Sequence, residues 1–344
     1  MSKNLWLIYG NATLQTTGSD YYISRPMISI IVPFYKEEAN VAALYTRLSH
    51  VLDTIEQQWE LVCVNDGSQD GTHAELLALQ QRDSRVRVVD LSRRFGKEAA
   101  LTAGLDYGRG EAAIPLDADL QDPPEVIPLL LGKWREGYEV VNAVRASRAG
   151  ESFLRTAATR GFYWLFRRLS EVEMPPDAGD FRLISRPALQ ALRRLPERRR
   201  FMKGLFAWVG FRTAAVTYDR PPRLAGRSSW NYWKLLNFAL DGLIAFSTLP
   251  LRLASYLGLA ISALAFLYAG VIVFRKLAFG NVVPGYSSLM AAILLLSGVQ
   301  LVSLGIIGEY LGRLYEESKR RPIYIVRQIW EAKPSTDHTL RKGV

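Results

Sequence analysis

The stretch "IPLDADLQDPPE", Ile114 to Glu125, sets Asp117, Asp119 and Asp122 close together in a chain whose formal net charge is +10. Side chains at i and i+2 of an extended strand point the same way. Asp117 and Asp119 are therefore expected to aim together from the end of the apolar run "AAIPL". Carboxylates that close repel each other, and one pKa rises unless a cation lies between them. A hard divalent cation takes oxygen ligands and keeps waters and substrate phosphates as the rest of its shell. The spacing suits a magnesium or manganese ion bridging a diphosphate. The same two acids could instead simply end a strand, and the pattern alone does not choose. Asp122 is expected to cap the helix beginning "PPEV", with Pro123 at its first position.

Two other loops carry chemistry-bearing residues. "IIVPFYKEEANV" brings Pro33, Tyr35 and Glu37 to the end of a first strand. "VNDGSQDGT" ends a second strand, where Asp66 can accept from a nucleobase N–H and Gly67 permits a tight turn. Either loop alone reads as an ordinary strand-to-helix connection.

The elements that must position these loops are legible from Met27 to about Arg148. "MISIIVPFY", "WELVCVND", "VRVVDLS", "AAIPLDAD" and "YEVVNAVR" are nearly continuous apolar runs, as strands covered on both faces are. Segments of helical composition separate them, which predicts an α/β fold with a doubly wound, mostly parallel sheet. Such sheets bind ligands outside the carboxyl ends of their strands. No G-x-G-x-x-G follows the first strand, so the dinucleotide fingerprint is missing. The single cysteine, Cys63, rules out an internal disulfide and reads as a packing residue. The three histidines are scattered, with no zinc spacing.

Two long runs hold no charge at all, Ala254 to Phe274 and Ser287 to Gly308. As helices rising 1.5 Å per residue, each could cross an apolar slab of about 30 Å. Arg252 precedes the first run, and Arg313, Lys319, Arg320 and Arg321 follow the second, against Arg275 and Lys276 in the connecting loop. That bias places both flanks in the cytoplasm. The expected organisation is an N-terminal extension over 1–26, a cytoplasmic catalytic domain over 27–227, interfacial amphipathic helices over 228–253, a transmembrane hairpin over 254–308 and a cytoplasmic tail over 309–344. "RRPIYIVRQIW" in that tail could add a strand or a helix. The arginine-aromatic segments between Gly150 and Arg227 suit anchoring at the headgroup level. For Arg193, Arg194 and Arg198 to Arg200, a solvated basic face is the other reading. The excess of 43 Lys+Arg over 33 Asp+Glu points to anionic partners. No helix-turn-helix, zinc or RNA-binding motif accompanies it, which argues against nucleic acid.

Six blocks in order, "SIIVPFYKEEANV", "VNDGSQDGT", "LSRRFGKEAALTAGLDY", "PLDADLQDPPE", "DAGDFRLISR" and "RLAGRSSWNYWKLLNFALDGLIAFSTLPLR", carry a resemblance. From Met27 to about Trp330 the chain resembles the family-2 glycosyltransferases that load a sugar onto a polyprenyl phosphate, in particular the bactoprenol glucosyltransferase branch. It is also similar to dolichol-phosphate mannose synthases and to the aminoarabinose-loading transferases. The resemblance implies a GT-A fold, a UDP-sugar donor, a polyprenyl phosphate acceptor in the bilayer, Mg2+ or Mn2+, a bacterial inner-membrane location and a symmetric homo-oligomer such as a homotetramer. It implies that Pro33, Tyr35, Glu37 and Asp66 contact the uridine and that Lys97 belongs to the same nucleotide-sugar site. Asp117 and Asp119 would hold the metal and diphosphate, with Gln121 nearby. Asp180 would lie beside the sugar and acceptor. Arg145 would grip the acceptor phosphate, with Arg160 and Arg227 as further candidates. Two positions depart from the pattern: Arg94 stands where related sequences often read Asn, and Ser229 where they often read Lys.

The implied chemistry is an inverting hexose transfer, with glucose first and aminoarabinose, mannose or N-acetylglucosamine as alternatives. A phosphomonoester is mostly dianionic at pH 7, so it needs no strong general base, and Asp180 is expected to orient rather than deprotonate. A processive polysaccharide synthase would carry a Q-x-x-R-W block and more spans than this chain has. A non-enzymatic membrane scaffold would have no use for Asp117 and Asp119 together with "GDFRL".

Overall fold

The computed structural model describes residues 8–9, 12–13, 26–55, 58–145, 178–195, 197–198, 200, 202–219, 249–279 and 285–331. Of the expected N-terminal extension it describes a short antiparallel ribbon, Ile8–Tyr9 against Ala12–Thr13. The interfacial segment expected over 228–253 lies outside the described residues up to 248. Residues 249–253 form the start of a long helix.

Four parallel strands form the centre of the sheet: β1 (Ile28–Phe34), β2 (Trp59–Asn65), β3 (Val86–Leu91) and β4 (Ala112–Pro115). Their side chains are buried almost throughout, which is why they read as unbroken apolar runs rather than alternating ones. Helices α1 (Glu38–Thr54), α2 (Thr72–Arg82) and α3 (Lys97–Tyr107) connect them in turn. α1 buries Val41, Leu44, Leu48, Val51 and Leu52, one stripe at helical spacing. Val41, Leu44, Leu48 and Leu52 of that stripe join Ile28, Ile30, Val32 and Phe34 in the main core. α3 takes the opposite face. Its Gly104 lies directly on Ile31 and Val64, and any Cβ there would overlap the Ile31 side chain. This close seat brings the N-terminus of α3, and Lys97 with it, to the carboxyl rim of the sheet.

The sheet is completed by β5 (Val140–Arg145), β6 (Ala178–Ser185), β7 (Thr213–Tyr218) and β8 (Val326–Trp330). The strand order is β8-β3-β2-β1-β4-β6-β5-β7. β6 runs antiparallel to β4 and β5, β8 antiparallel to β3, and the other pairings are parallel. The α/β, mostly parallel architecture is the expected one. Strand order reverses between β1 and β4, and the crevice outside such a switch point is where open α/β sheets bind ligands.

β8 settles the alternative left open for "RRPIYIVRQIW": it is a strand. It covers the edge of β3, which would otherwise expose unpaired backbone groups. Tyr324 donates to Asp106 (2.8 Å), Arg109 pairs with Glu331 (2.7 Å) and Trp330 meets His73 edge-on at 5.1 Å. Cys63 is fully buried in β2, and burial pushes its thiol pKa up, as suits packing.

The chain divides into two compact units, one over 1–163, 173–230 and 322–344, the other over 164–172 and 231–321. The second contains α7 (Leu249–Phe279, 31 residues) and α8 (Tyr286–Ser318, 33 residues). At 1.5 Å per residue they run roughly 46 and 50 Å, more than the ~30 Å a hydrocarbon core requires. Leu257, Leu264, Phe266, Leu267, Leu295 and Leu301 on them are exposed. Leu251–Ile272 and Leu295–Ser318 are long and apolar enough to cross a membrane. α8 continues ten residues past the uncharged run, to Ser318 rather than Gly308, supported by an Arg313–Glu309 pair one turn apart at 3.0 Å. Helices α4 (Ile127–Arg135), α5 (Arg186–Arg193) and α6 (Met202–Trp208) pack in the first unit.

Candidate active site

Parallel and antiparallel pairings together decide which residues share a rim. The carboxyl ends of β1, β2, β3, β4 and β5 all point one way. β6, running against β4 and β5, starts at that same edge. Pro33 to Glu37, Asp66, Lys97, Asp117, Asp119, Arg145 and Asp180 therefore belong to one edge of one sheet.

At its centre the Lys97 ammonium bridges two carboxylates. Nζ lies 2.7 Å from Asp117 Oδ1 and 2.7 Å from Asp180 Oδ2, and donates to Asp117 Oδ2 at 2.9 Å. A cation in the first turn of α3 opposes the helix dipole, a cost of ~0.3–1 kcal/mol, which the two acids offset. Burial disfavours the charged lysine, but Asp180 and then Asp117 outweigh it and hold the Lys97 pKa above its ordinary value. Burial would raise the Asp180 pKa. Lys97, Lys203 and Arg182 reverse that and keep this carboxyl well below the usual range. Asp180 Oδ1 is buried and has no hydrogen-bond partner among the described residues. Glu98, next to Lys97, is pushed up to about 8, first by burial and then by the Asp180 charge, and its Oε2 is likewise without a partner.

Asp117 and Asp119 are not aligned by strand geometry, as the sequence suggested. β4 ends at Pro115, and both acids lie in the turn beyond it. Leu120 holds a left-handed φ of 59°, a conformation costing about 1 kcal/mol or more for a non-glycine residue. The turn is tightened by Gln121, itself buried, whose N–H donates to Asp119 Oδ1 at 3.2 Å. Asp122 is not the helix cap. The 3-10 turn at Pro124–Val126 starts after Pro123 and has no side-chain cap. Asp122 is only 4% exposed and accepts from Tyr218 Oη at 2.8 Å. A buried carboxylate needs a donor, and Tyr218 is the one that the neighbouring strand supplies.

Arg145, last in β5, lies in register with Tyr218, whose pKa burial and Asp122 raise and the Arg145 charge lowers. Its Nε is buried without a partner. This leaves a guanidinium group part-engaged at the rim.

The nucleoside-end candidates form a second cluster. Asp66 is buried and accepts from Phe95 N–H (2.6 Å) and Gly96 N–H (2.9 Å). Burial raises its pKa, while those two donors and the Arg94 and Arg93 charges oppose the rise. Gly67, at φ 65°, presses on the Arg93–Arg94 backbone so closely that a Cβ would lie 2.6 Å from it. Tyr35 is half-buried with the Arg94 guanidinium 4.1 Å over its ring. Pro33 is half-buried at the end of β1. Glu37 accepts from Asn40 Nδ2 at 2.6 Å, and its N–H donates to Thr72 Oγ1. Arg160, Arg227 and Ser229 lie outside the described residues.

Some members were missed in the sequence. Lys203, whose charge acts on Asp180 and Glu98, sits in "RFMKGL" with no local signal to mark it. Glu98 and Tyr218 likewise gain meaning only in space. Arg193 and Arg200 do not form a freely solvated basic face. Arg193 donates to the carbonyls of Leu105, Asp106 and Gly108 at the end of α3, and Arg200 to those of Leu195 and Glu197. Burial lowers the pKa of both.

The donor set suits a hard cation. Asp117 already takes a positive charge from Lys97, and Asp119 stands two residues on. No group of three or more acidic, His or Cys side chains converges among the described residues. A metal here would have two aspartates and complete its shell from water and phosphate oxygens, as magnesium does.

Residues 29–193 match the family model described as Glycosyl transferase family 2, and residues 249–314 match the GtrB C-terminal hairpin. The chain is 53% identical over 303 residues to an uncharacterized glycosyltransferase of Synechocystis sp., covering 88% of this chain and 95% of that one. It is 45% identical to an uncharacterized glycosyltransferase of Bacillus subtilis, over 87% and 93% of the two chains. It is 44% identical to the bactoprenol glucosyl transferase of Shigella phage SfV, over 87% and 98%. Among solved structures, glucosyl-3-phosphoglycerate synthase from Mycobacterium tuberculosis overlays with a TM-score of 0.44 at 21% identity, over 64% of this chain and 76% of that one, too loosely to argue from.

Proposed function

The chain belongs to glycosyl transferase family 2, and from that premise we propose that it moves glucose from UDP-glucose onto undecaprenyl phosphate, with inversion, at the cytoplasmic face of a bacterial inner membrane. The observation that carries this reading is the rim cluster: Asp117 and Asp180 joined through Lys97, beside Asp119, with Arg145 on the next parallel strand. The phage relative is a bactoprenol glucosyl transferase, which supports both the lipid acceptor and the glucosyl donor.

In this reading, Pro33, Tyr35, Glu37 and Asp66 receive the uridine, and the Asp117–Gln121 turn receives the diphosphate. Asp117 and Asp119 would hold a divalent ion, which supplies positive charge to the leaving diphosphate. A phosphate oxygen of the acceptor forms the bond to the anomeric carbon while the bond from that carbon to UDP breaks. An α-linked donor then gives a β-linked lipid phosphate. Asp180 acts by orienting. A carboxylate whose pKa is held low is a weak base, and the acceptor, already a dianion, has no proton that must be removed. Arg145, with donors to spare, grips the acceptor phosphate in a charge-assisted pair; Arg160 and Arg227 are further candidates for that grip.

Two features support the membrane assignment. α7 and α8 would form a hairpin. A hairpin returns the chain to the side it left, and β8, after α8, pairs with the sheet built by residues before α7. The basic flanks at Arg252, Arg313, Lys319, Arg320 and Arg321 favour the cytoplasm for that side.

The test is incubation of purified membranes with radiolabelled UDP-glucose, UDP-N-acetylglucosamine, GDP-mannose and UDP-aminoarabinose, with and without undecaprenyl phosphate and chelator. The reading requires label in the lipid fraction from UDP-glucose, dependent on the acceptor and lost with chelator. Lipid labelling from another donor alone would replace the sugar, and no acceptor dependence would reject the reading.

A further inference from the structure

Tyr218, the last residue of β7, is buried, yet it lies against all three parts of the site. Its hydroxyl donates to Asp122 Oδ1 at 2.8 Å, and Asp122 is buried as well. Asp122 belongs to the turn beyond β4 that carries Asp117 and Asp119. The Tyr218 ring meets Phe181 edge-on, with centroids 5.9 Å apart, and Phe181 follows Asp180 in β6. In the pairing of β7 with β5, Tyr218 is the register partner of Arg145. Three segments far apart in sequence therefore meet at one phenol.

The left-handed φ of 59° at Leu120 persists only where the surroundings over-determine it. Leu120 and Tyr218 share the main core, and the Tyr218–Asp122 bond fixes the turn two residues further on. Burial, and then the Asp122 charge, raise the Tyr218 pKa, so the phenol keeps its proton and stays a donor. Arg145 depends on packing for a different reason. Its Nε is buried without a hydrogen-bond partner among the described residues, so no bond at that nitrogen fixes its direction. Tyr218 stands beside it, close enough for the Arg145 charge to oppose the rise in the phenol pKa.

We propose that Tyr218 is a positioning residue, holding the turn of Asp117 and Asp119 and the Arg145 guanidinium in one geometry, so that a single hydroxyl serves both the donor and the acceptor end of the transfer. Displacement at the anomeric carbon requires the acceptor oxygen and the leaving diphosphate to be aligned, and a small misplacement is costly. Tyr218 touches neither substrate. It acts through Asp122 on one side and Arg145 on the other. This inference rests on the proposed sugar transfer and adds the residue that ties its two ends together.

The experiment compares wild type, Tyr218→Phe and Tyr45→Phe as full-length, detergent-solubilised protein. Tyr218→Phe keeps the ring against Phe181 and removes only the hydroxyl. Tyr45→Phe deletes a like bond outside the site, Tyr45 Oη to Asp83 Oδ2 at 2.5 Å, which joins α1 to the end of α2. It reports what losing a tyrosine–aspartate bond does to stability alone. Two constants are read: the affinity for Mn2+ in the presence of UDP, from the electron paramagnetic resonance signal of free Mn2+, and the KM for undecaprenyl phosphate in transfer from labelled UDP-glucose. Tyr218→Phe should weaken Mn2+ binding on the order of tenfold and raise the lipid KM by a similar factor, the scale of a supporting hydrogen bond to a charged group. Tyr45→Phe should leave both constants unchanged. A shift in only one constant or in neither, or equal shifts in Tyr45→Phe, would overturn the inference while leaving the transfer reading intact. A wild type that binds no Mn2+ with UDP, or transfers nothing to the lipid, would overturn that reading and this inference with it. Should Tyr218→Phe not fold, Asp122→Asn, which leaves the phenol an oxygen but removes the charge from the bond, reads the same two constants, with the same joint shift expected and the same results overturning it.

Discussion

Replacing Lys97 by Met keeps the length of the side chain and removes the charge that joins Asp117 to Asp180. Each contact is 2.7 Å long. In a medium of effective dielectric ~20, Coulomb's law assigns such a pair ~6 kcal/mol before solvation is counted. Solvation takes most of that back, because 47% of the Lys97 side chain is exposed. An exposed pair is worth ~0–1 kcal/mol, whereas breaking a buried one costs ~3–5 kcal/mol. Asp180, whose side chain is 13% exposed, lies nearer the buried limit and Asp117, at 27%, nearer the other. A net loss of ~2 kcal/mol follows, which at ~2–4 °C per kcal/mol for a domain of this size lowers the melting temperature by ~4–8 °C. The size of the loss should depend on metal. A divalent ion at Asp117 and Asp119 restores positive charge beside Asp180, so magnesium should recover much of the loss. The assay is differential scanning fluorimetry of the purified protein in chelator and in millimolar magnesium. An unchanged melting temperature in chelator, or a drop that magnesium leaves as it was, would refute the view that these acids require a cation between them.

Glu98 gives a pH signature. Its folded pKa, about 8, lies above the ordinary 4.5, so the folded state binds the extra proton. Its contribution is full below the ordinary value and is lost as pH rises through about 8. Wild-type melting temperature should therefore fall from pH 5.5 to pH 8.5, and Glu98→Gln should flatten that slope; an identical slope in both proteins would count against it. The depressed Asp180 pKa acts only at more acidic pH and does not enter this window. Arg145→Ala should raise the apparent KM for polyprenyl phosphate by on the order of tenfold or more, the worth of a charge-assisted bond, with the donor KM little changed. Steady-state kinetics against each substrate checks this, and an unchanged lipid KM would remove Arg145 from the acceptor site.

The central strands were legible because each is buried on both faces, and the resulting apolar runs survive any detail of packing. β6 was harder to see, since Asp180 and Arg182 interrupt "GDFRLIS" and read as a motif rather than a strand. β7 is a short edge strand, "TAAVTY", with little apolar weight. The place of β8 depends on a sheet edge built more than two hundred residues earlier. In the site, Asp117 and Asp119 were visible as a pair, but the device that positions them was not. It is a strained turn at Leu120, and local spacing cannot report a left-handed φ. The same limit explains Asp122, whose partner Tyr218 is 96 positions away. It also explains why the sequence could not show that Lys97 joins Asp117 to Asp180. Arg193 was misread because charge density in sequence does not reveal which carbonyls a guanidinium will find.

The most direct measurement is transfer of labelled glucose from UDP-glucose into undecaprenyl phosphate by proteoliposomes carrying wild type or Asp119→Asn. The account predicts metal-dependent formation of a glucosyl lipid by the wild type, and none above background by Asp119→Asn, although the variant inserts into liposomes as well as the wild type does. Near-normal turnover by Asp119→Asn, or wild-type transfer that persists in chelator, would contradict it.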